Sequence, residues 1–328
     1  MQPISRKTII IFVAATATAL MGLSIYQSTN KTPKSVTLVA HDSFVMTKSQ
    51  IANFEKSTGF ALTMVRAGDA GSLTNRLILT KSAPIADVVF GIDNTFAGRA
   101  TDAGIIDGQL SPTDFGDVCL NYHKAWFAQH GIDVPQTLDD LVKPDYKNLT
   151  VVENPNTSST GLAFLAASID KFGASGWKTF WKQLKSNGVK VTDGWETAYY
   201  TEFSGASGKG KYPIVLSYAA SPADEIDDDG LSRTAAISDG CFRQTEYAGI
   251  LTGAKNPEGA QAVIDYLLSP AFQATFPTAM YMYPYVPGTL IPPSWETNVS
   301  VVSHTYGDRL DINASRKEWL NAWSDIFE

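Results

Sequence analysis

The stretch Val36-Thr-Leu-Val-Ala40 begins an alternation of apolar runs and helical patterns that decides the fold. This stretch predicts a strand. Residues 48–58 have the apolar spacing of a helix, and residues 60–66 alternate between apolar and polar as a second strand does. A second helix is predicted at 72–81, and Ala86-Asp-Val-Val-Phe90 is a short apolar run suited to a buried parallel strand. The order βαβαβ predicts parallel strands covered by helices.

The rest of the chain continues the same alternation and ends in two amphipathic helices. We expect helices at 95–103, 161–172 and 177–186, and strands at 118–122, 149–153, 189–192 and 214–218. The helices predicted at 255–268 and 313–327 are expected to pack on the core. The alternation predicts an α/β fold with parallel sheets, and the length of 328 residues indicates two lobes.

Composition and charge exclude two classes of protein. The chain has 26 Lys and Arg against 33 Asp and Glu, a net charge of −7, whereas a nucleic-acid-binding protein needs a basic surface to hold phosphates. With 44% hydrophobic and 18% charged residues, the composition is that of a folded chain with a large core, not of a disordered one. Aromatic residues make up 11%, enough for a core and for a binding surface. We therefore expect a folded chain with no nucleic-acid partner.

The N-terminus has the layout of an export signal. Arg6 and Lys7 precede an uncharged apolar run at 8–26, whose length is close to that of a spanning helix. Neither a good cleavage site nor a Cys for lipid attachment follows the run, so a cleaved signal and an uncleaved anchor both stay open, with the anchor slightly favoured. The positive-inside rule places the bulk of the chain outside the cytoplasm. No other stretch of sequence is apolar enough to span, so we expect membrane attachment through this segment only.

Export affects how Cys119 and Cys241, the two cysteines of the chain, are interpreted. Outside the cytosol a disulfide is permitted, and a bond that closes so long a loop would stabilise the fold. Two buried free thiols are the alternative. We favour the disulfide.

The sequence offers little that requires an enzyme. The four histidines show no pair at the spacing of metal ligands, and no Gly-x-Ser-x-Gly motif is present. An exported hydrolase that uses His41, Asp42 and a serine of 157–160 is the remote alternative, and it predicts turnover.

Candidate binding residues lie near the ends of predicted strands, where ligand sites form in open α/β sheets. They are His41, Asp42, Ser43, Asp69, Gly71 and Asp93 in the first half of the chain, and Ser158, Ser159, Thr160, Ser221 and Asp224 in the second. Consecutive hydroxyls before a predicted helix, with unpaired backbone N–H groups, favour an anion such as phosphate. Ordinary helix capping would use only one of these hydroxyls and is the alternative.

Aromatic residues on loops and at element ends form a second group of candidates. They are Trp195, Tyr199, Tyr218 and Tyr281. Rings next to the carboxylates that follow the first three strands would suit a flat, cationic heterocycle, because the ring faces and the carboxylates both attract positive charge. The grouping predicts a small-molecule pocket.

Several strings, in the same order along the chain, resemble the thiamine-binding protein of bacterial ABC importers. They include Asp42-Ser43-Phe44, Ala86-Asp-Val-Val-Phe-Gly-Ile-Asp-Asn94, Asn154-Pro-Asn-Thr-Ser-Ser-Thr-Gly-Leu162, Gly194-Trp195, Leu216-Ser-Tyr218, Ser221-Pro222 and Met282-Tyr-Pro284. The resemblance runs from about Val36 to the C-terminus. Gly116-Asp-Val-Cys119 and Cys241-Phe-Arg-Gln244 resemble the actinobacterial branch, in which the two cysteines look like a pair.

The resemblance implies a two-lobed type II periplasmic-binding-protein fold with a central ligand cleft. We expect a signal or anchor at 1–35, a first lobe of 36–118 plus 244–328, and a second lobe of 119–243. The chain would cross between the lobes near Val118 and Arg243, so that a Cys119–Cys241 bond would join the hinge strands.

The resemblance also implies the function and the roles of single residues. The ligand would be thiamine or a thiamine phosphate, and the partners an ABC permease and its ATPase. Ser158 or Ser159 and Trp195 match positions at the phosphate or hydroxyethyl end, Tyr218 matches a ring contact, and Tyr281 stands where Gram-negative members have a stacking Trp.

Two positions depart from the family pattern, and several expectations remain beside it. His41 and Asp224 each stand where members have a Tyr, which leaves the stacking geometry open. We expect a monomer with no cofactor and no metal. A ferric-ion or polyamine receptor of the same fold is the alternative function.

Overall fold

The computed structural model describes residues 34–206, 209–299 and 302–328. The predicted signal or anchor at 1–35 falls almost wholly on residues 1–33, which lie outside the described residues. Within the described ranges, no helix combines the length and the apolar character needed to cross a membrane.

One mixed sheet of nine strands runs through the described part of the chain. The strands are β1 Ser35–Ala40, β2 Ala61–Arg66, β3 Val88–Asp93, β4 Ile106–His123, β5 Thr150–Glu153, β6 Lys190–Thr192, β7 Ile214–Tyr218, β8 Thr234–Leu251 and β9 Tyr283–Pro284. Their order across the sheet is β2-β1-β3-β8-β4-β7-β5-β6, with β9 paired to β4. Strands are parallel at both ends of the sheet, among β2, β1 and β3 and among β7, β5 and β6.

The centre of the sheet is antiparallel, which corrects the prediction of parallel sheets. β8 runs antiparallel to both β3 and β4, and β4 runs antiparallel to β7. Two 18-residue strands, β4 and β8, thus join the two parallel ends. The prediction contained only 118–122 of β4 and none of β8. Polar side chains such as Gln244 and Glu246 are buried in β8, so this strand lacks the apolar run by which a buried strand is recognised.

Ten α-helices cover the sheet in the described ranges. Four of them, at 124–130, 270–273, 276–280 and 294–298, were not predicted, whereas the outer bounds of the others lie within two residues of the prediction. The ten helices are α1 Lys48–Thr58, α2 Ala70–Leu79, α3 Ala97–Asp102, α4 Lys124–His130, α5 Ser159–Ser186, α6 Pro257–Leu267, α7 Pro270–Gln273, α8 Phe276–Met280, α9 Ser294–Asn298 and α10 Ile312–Phe327. α5 corresponds to the two helices predicted at 161–172 and 177–186. It kinks at Gly173, where φ is 70°, a left-handed value that a glycine adopts without strain.

The two predicted C-terminal helices pack on the core as expected. α6 buries Val263, Ile264 and Leu267. α10 buries Leu320 and Trp323. Each helix is therefore held by its apolar face.

A disulfide joins the two long strands where their pairing changes register. Val118 pairs with Phe242, but the next paired position is Leu120 with Ile237, so extra residues of β8 bulge out there. Cys119 and Cys241 are bonded, with their Cα atoms 4.5 Å apart, and both are fully buried. The predicted disulfide is confirmed.

Candidate functional site

A cavity of about 220 Å³ lies between residues that come from both parallel ends of the sheet. Its lining residues are His41, Ser43, Val45, Asp69, Ala70, Ser159, Thr160, Trp195, Glu196, Tyr200, Tyr218, Glu246, Ala279, Met280, Tyr281 and Met282. Most of them follow a strand or begin a helix. The edge at which parallel strands end therefore forms this cavity, as the sequence predicted.

The start of α5 supplies one wall. Ser158 is the N-cap residue, and its side chain makes no capping hydrogen bond to the helix. Its hydroxyl bonds instead with the Thr160 hydroxyl at 2.9 Å, and Thr160 donates to Glu153 Oε2 at 2.8 Å. Ser159 Oγ accepts from the Gln244 side-chain amide at 3.1 Å. The consecutive hydroxyls thus form a buried network with a carboxyl group and an amide.

Asp69 links the start of α2 to the loop before Thr197 on the other side of the cavity. Its Oδ1 accepts from the backbone N–H of Ala70 at 2.6 Å and its Oδ2 accepts from the backbone N–H of Trp195 at 2.9 Å. Burial raises the pKa of Asp69, although these N–H groups and the nearby His41 oppose the shift. A carboxylate therefore holds together two segments that are 126 residues apart.

A group of rings forms the opposite wall. Trp195 lies at its centre, with ring centroids 5.4 Å from Tyr200, 6.2 Å from Tyr218 and 5.7 Å from Tyr281. Tyr199, which is not a lining residue, stacks on Trp195 with ring centroids 5.0 Å apart. Such an arrangement offers ring faces and edges to a flat ligand.

Tyr281 is fixed at both its backbone and its hydroxyl. Its φ of 57° and ψ of 26° place it in the left-handed region, which is unusual for a side chain with a ring. The hydroxyl donates to Asp224 Oδ2 at 3.1 Å and accepts from the Tyr200 hydroxyl at 2.8 Å. The ring is therefore held in one orientation against the cavity.

His41 and Glu246 form a buried pair at the cavity wall. His41 Nε2 lies 3.3 Å from Glu246 Oε1, and the two side chains are 8% and 4% exposed. Gly91 makes room for the imidazole, because a Cβ at this position would lie 2.0 Å from His41 Cδ2. Burial alone would lower the pKa of His41, but the negative charges of Glu246, Asp69 and Asp42 raise it above its ordinary value.

Two further carboxyl groups lie buried beside Glu246. Burial raises the pKa of Asp93 to about 7, and the Thr95 hydroxyl donates to its Oδ1 at 2.8 Å. Burial and the charge of Glu246 raise the pKa of Asp114 well above its ordinary value. Asp114 Oδ1 and Glu246 Oε2 have no hydrogen-bond partner among the described residues. Two carboxyl groups with raised pKa values, Asp93 and Asp114, therefore lie close to the lining residue Glu246.

The structure places eight of the fifteen predicted binding residues on the cavity wall: His41, Ser43, Asp69, Ser159, Thr160, Trp195, Tyr218 and Tyr281. Four of the others lie directly behind these. Ser158 and Asp224 bond to Thr160 and Tyr281, Tyr199 stacks on Trp195, and Ser221 Oγ accepts from the Tyr218 backbone N–H at 3.2 Å.

The remaining three predicted residues are displaced further. Asp42 Oδ1 accepts from the Gly68 backbone N–H at 3.0 Å, and Asp42 lines a neighbouring cavity of about 210 Å³. Gly71 allows α2 to approach Thr157, because a Cβ there would lie 2.7 Å from the Thr157 carbonyl. Asp93 is buried and faces Thr95.

Other lining residues were not singled out from the sequence as binding residues. They are Val45, Ala70, Glu196, Tyr200, Ala279, Met280, Met282 and Glu246. Glu246 is the one with a charge in the buried part of the cavity, and it lies in the unpredicted strand β8. One signal could have found it: Glu246 follows Cys241 by five residues, so the expected disulfide to Cys119 would have placed this segment beside the strand predicted at 118–122.

The lining defines the kind of ligand that fits. Three lining residues carry carboxyl groups and four carry large rings, while no Lys or Arg belongs to the described lining. His41 pairs with Glu246 and Ser159 with Gln244, so these described groups form no nucleophile and base pair of the kind a hydrolase needs. The described residues also contain no group of three or more His, Cys, Asp or Glu side chains that could hold a metal ion. The cavity suits a flat ligand that carries positive charge.

Residues 86–306 match a family model described as a bacterial extracellular solute-binding protein. The chain is 31% identical over 289 residues to the thiamine-binding periplasmic protein of Escherichia coli strain K12, covering 82% of this chain and 85% of that relative. It is 28% identical over 309 residues to the thiamine-binding periplasmic protein of Brucella melitensis biotype 1, covering 88% and 90%.

Solved structures share the same architecture. A periplasmic thiamin binding protein superposes with a TM-score of 0.80 at 26% identity, covering 91% of this chain and 100% of that one. Iron-bound HitA from Pseudomonas aeruginosa superposes with a TM-score of 0.66 at 18% identity, covering 90% and 99%, which indicates a shared fold only. The type II periplasmic-binding-protein fold predicted from the sequence is confirmed by these matches.

Proposed function

The chain belongs to the bacterial extracellular solute-binding protein family, and from this premise we propose that it captures thiamine or a thiamine phosphate outside the cytoplasm for an ABC importer. Its relatives named thiamine-binding periplasmic proteins align over most of both chains. A binding protein of this kind delivers its ligand to a membrane permease that is driven by an ATPase. The chain would be a receptor and not an enzyme.

The observation that carries this proposal is the combination of rings and carboxylates in one cavity. Thiamine joins a positively charged thiazolium ring to an aminopyrimidine ring, and it ends in a hydroxyethyl group. Trp195, Tyr218 and Tyr281 offer ring faces, and Asp69 and Glu246 offer negative charge. Aromatic faces and carboxylates are the groups that attract a flat cation.

Single residues can be assigned on the same basis. Tyr281 and Tyr218 would contact the ligand rings, and Trp195 would lie near its hydroxyethyl or phosphate end together with Ser159. Ser158 and Asp224 would act through Thr160 and Tyr281, to which they are hydrogen-bonded. His41 would replace a ring contact by a charged pair with Glu246.

Capture would involve closure of two lobes over the ligand. The lobes would be 36–118 plus 244–328 and 119–243, joined by the two long strands and the disulfide between them. Contacts from both lobes would shift an open–closed equilibrium toward the closed form. The receptor would act as a monomer, held at the outer face of the membrane by its N-terminal segment or released from it.

Isothermal titration of the chain without residues 1–33, which leaves β1 whole, tests this proposal. We expect saturable heat with thiamine, its monophosphate or its diphosphate at micromolar protein. Spermidine and ferric citrate are titrated in parallel, because a polyamine or ferric-ion receptor of the same fold would bind one of these. The absence of heat with every thiamine compound, or a charge-transfer colour with iron, would contradict the proposal.

A further inference from the structure

Three buried carboxyl groups lie side by side on neighbouring strands behind the cavity. Glu246 of β8 is paired in register with Asp93 of β3 on one side and with Asp114 of β4 on the other. Directly paired residues of adjacent strands point to the same face of a sheet, with their Cβ atoms about 5 Å apart. Asp93 and Asp114 are fully buried, and Glu246 is 3% exposed. We call these three residues the carboxyl row.

The carboxyl row cannot carry three negative charges at neutral pH. Like charges on neighbouring carboxyl groups in a buried position repel each other, so that one group of a close pair keeps its proton. Burial raises the pKa of Asp93 to about 7, and burial together with the charge of Glu246 raises the pKa of Asp114 well above its ordinary value. Near pH 7 the row therefore holds a proton on Asp114 and, in part of the molecules, a second proton on Asp93.

Hydrogen bonds do not fully satisfy the carboxyl row. The Thr95 hydroxyl donates to Asp93 Oδ1 at 2.8 Å, and the Thr113 hydroxyl donates to Asp114 Oδ2 at 3.0 Å. Among the described residues, Asp114 Oδ1 and Glu246 Oε2 find no hydrogen-bond partner although both atoms are buried. Buried oxygens that lack a donor make the charge of the row sensitive to any positive group that comes close.

The groups around the carboxyl row add further negative charge. They are His41 and Asp42 beyond β1, Asp69 at the start of α2, Tyr218 at the end of β7, and Tyr247 of β8. His41 Nε2 lies 3.3 Å from Glu246 Oε1 and can be positive. The nearest basic residue along the chain, Arg243, is paired with Asp117 instead. A cation that enters the cavity beside Glu246 therefore meets buried negative charge that protons partly neutralise.

We propose that the carboxyl row is a proton-exchange site, in which a cationic ligand that binds beside Glu246 displaces a proton from Asp93 or Asp114 to the solvent. The inference rests on the proposed function, because it requires a cation in the cavity. The cation neutralises the charge that the proton neutralises in the empty protein. Asp93 and Asp114 do not line the cavity, so they act on the ligand through Glu246 and are positioning residues. Release of one full proton makes the ligand affinity rise about tenfold per pH unit.

Calorimetry of thiamine binding in buffers of different ionisation enthalpy counts the released protons. The His41→Gln variant is used, because its side chain does not titrate and the protons that it still releases come from other groups. At pH 7 we expect release of a few tenths of a proton, and an affinity that rises about fourfold to tenfold from pH 6 to pH 8. Addition of Asp93→Asn and Asp114→Asn should lower the released protons by more than half. The new amides can still accept from Thr95 and Thr113.

Asp107→Asn in the same His41→Gln background is the matched control. It makes the same chemical change on β4, but at an exposed residue, so the number of released protons should not change. The inference is overturned if Asp93→Asn and Asp114→Asn leave the proton release unchanged, or if Asp107→Asn lowers it equally.

A second measurement covers the case in which one of these variants fails to fold or to bind. The carboxyl carbon chemical shifts of Asp93 and Asp114 are followed against pH in the wild type, with and without thiamine. At least one titration midpoint should move to lower pH when thiamine is bound, and two unmoved midpoints overturn the inference. The absence of heat with thiamine in the wild type contradicts the proposed function instead, so the two failures are distinguishable.

Discussion

The Tyr281 hydroxyl donates a hydrogen bond to Asp224 Oδ2 at 3.1 Å, across residues that are 57 positions apart in the chain. Tyr281 follows α8, and Asp224 ends the short 3-10 helix after β7. The bond therefore connects the two sides of the cavity, and it explains why an acidic residue stands at position 224. Asp224 does not line the cavity itself but orients a ring that does.

Substitution of Tyr281 should separate the ring from its hydrogen bond. Tyr281→Phe keeps the ring and removes the bond to Asp224, so we expect ligand affinity to fall about threefold to tenfold, a loss of about 1 kcal/mol. Tyr281→Ala also removes the aromatic contact, so the fall should exceed tenfold. Titration calorimetry measures both. Asp224→Ala, which removes the acceptor, should resemble Tyr281→Phe, and a larger loss for Asp224→Ala than for Tyr281→Ala would show that Asp224 contacts the ligand directly.

Trp195 should report ligand binding by its fluorescence. It lies on the cavity wall, and its Nε1–H donates to Ser217 Oγ at 2.9 Å. A ligand ring that stacks nearby should quench this indole, while the other six Trp residues lie outside the cavity lining. In Trp195→Phe we expect the ligand-induced change to disappear and the affinity to fall severalfold. A fluorescence change of wild-type size in Trp195→Phe would place the ligand elsewhere.

The sequence predicted well where periodicity and local chemistry agree. α1 was predicted at its observed bounds, and β7 likewise, because each has a clear apolar pattern with a distinct start and end. β8 was missed because its buried positions include Gln244 and Glu246, which no periodicity scan counts as core. A strand whose polar side chains are satisfied by the opposite part of the fold is recognisable only from tertiary structure.

The same limit applies to the site. The segments after strands gave Asp69, Ser159 and Trp195, since strand ends meet at one edge of a sheet. The pairing of His41 with Glu246 could not be predicted, because it depends on the register of β3 against β8 and on the space that Gly91 leaves. Sequence patterns locate an edge of the sheet, whereas pairings across the fold require coordinates.

Affinity for a cationic ligand should increase with pH. The carboxylates around His41 raise its pKa, so the imidazole is protonated over part of the neutral range and repels a cation. A bound cation lowers that pKa, and protons are released on binding. We expect tighter binding at pH 8 than at pH 6, and buffer-dependent binding enthalpies in calorimetry. In His41→Gln the ligand affinity should depend less on pH. If its affinity changes with pH as steeply as that of the wild type, the released protons come from other groups.

Asp93 should make the unliganded protein less stable as the pH rises. Its folded-state pKa is raised from the ordinary 3.8 to about 7, so its contribution to stability is complete below pH 4 and is lost as the pH rises to 7. The loss is on the order of a few kcal/mol. Asp93→Asn does not titrate, so the stability of the variant relative to wild type should increase between pH 4.5 and pH 8. Urea unfolding of both proteins at these two pH values measures the difference, and a pH-independent difference would show that Asp93 is already charged at pH 4.5.

The Cys119–Cys241 bond should stabilise the fold without contributing to ligand contacts. It closes a loop of 122 residues, and chain-entropy arguments give about 5 kcal/mol for a loop of that length. Neither cysteine lines the cavity. For the double variant Cys119→Ala with Cys241→Ala, we expect a large fall in the free energy of unfolding, measured with urea. The ligand dissociation constant should stay within about threefold of wild type at a temperature where both proteins are folded.

The single variant Cys119→Ala is the control for the double variant. It leaves Cys241 buried as a free thiol, and so it separates loss of the bond from loss of the second sulfur. A variant of wild-type stability would mean that the antiparallel pairing of β4 with β8 holds the two strands together without the bond. Loss of ligand binding in a stable variant would mean that the bond also sets the geometry of the cavity.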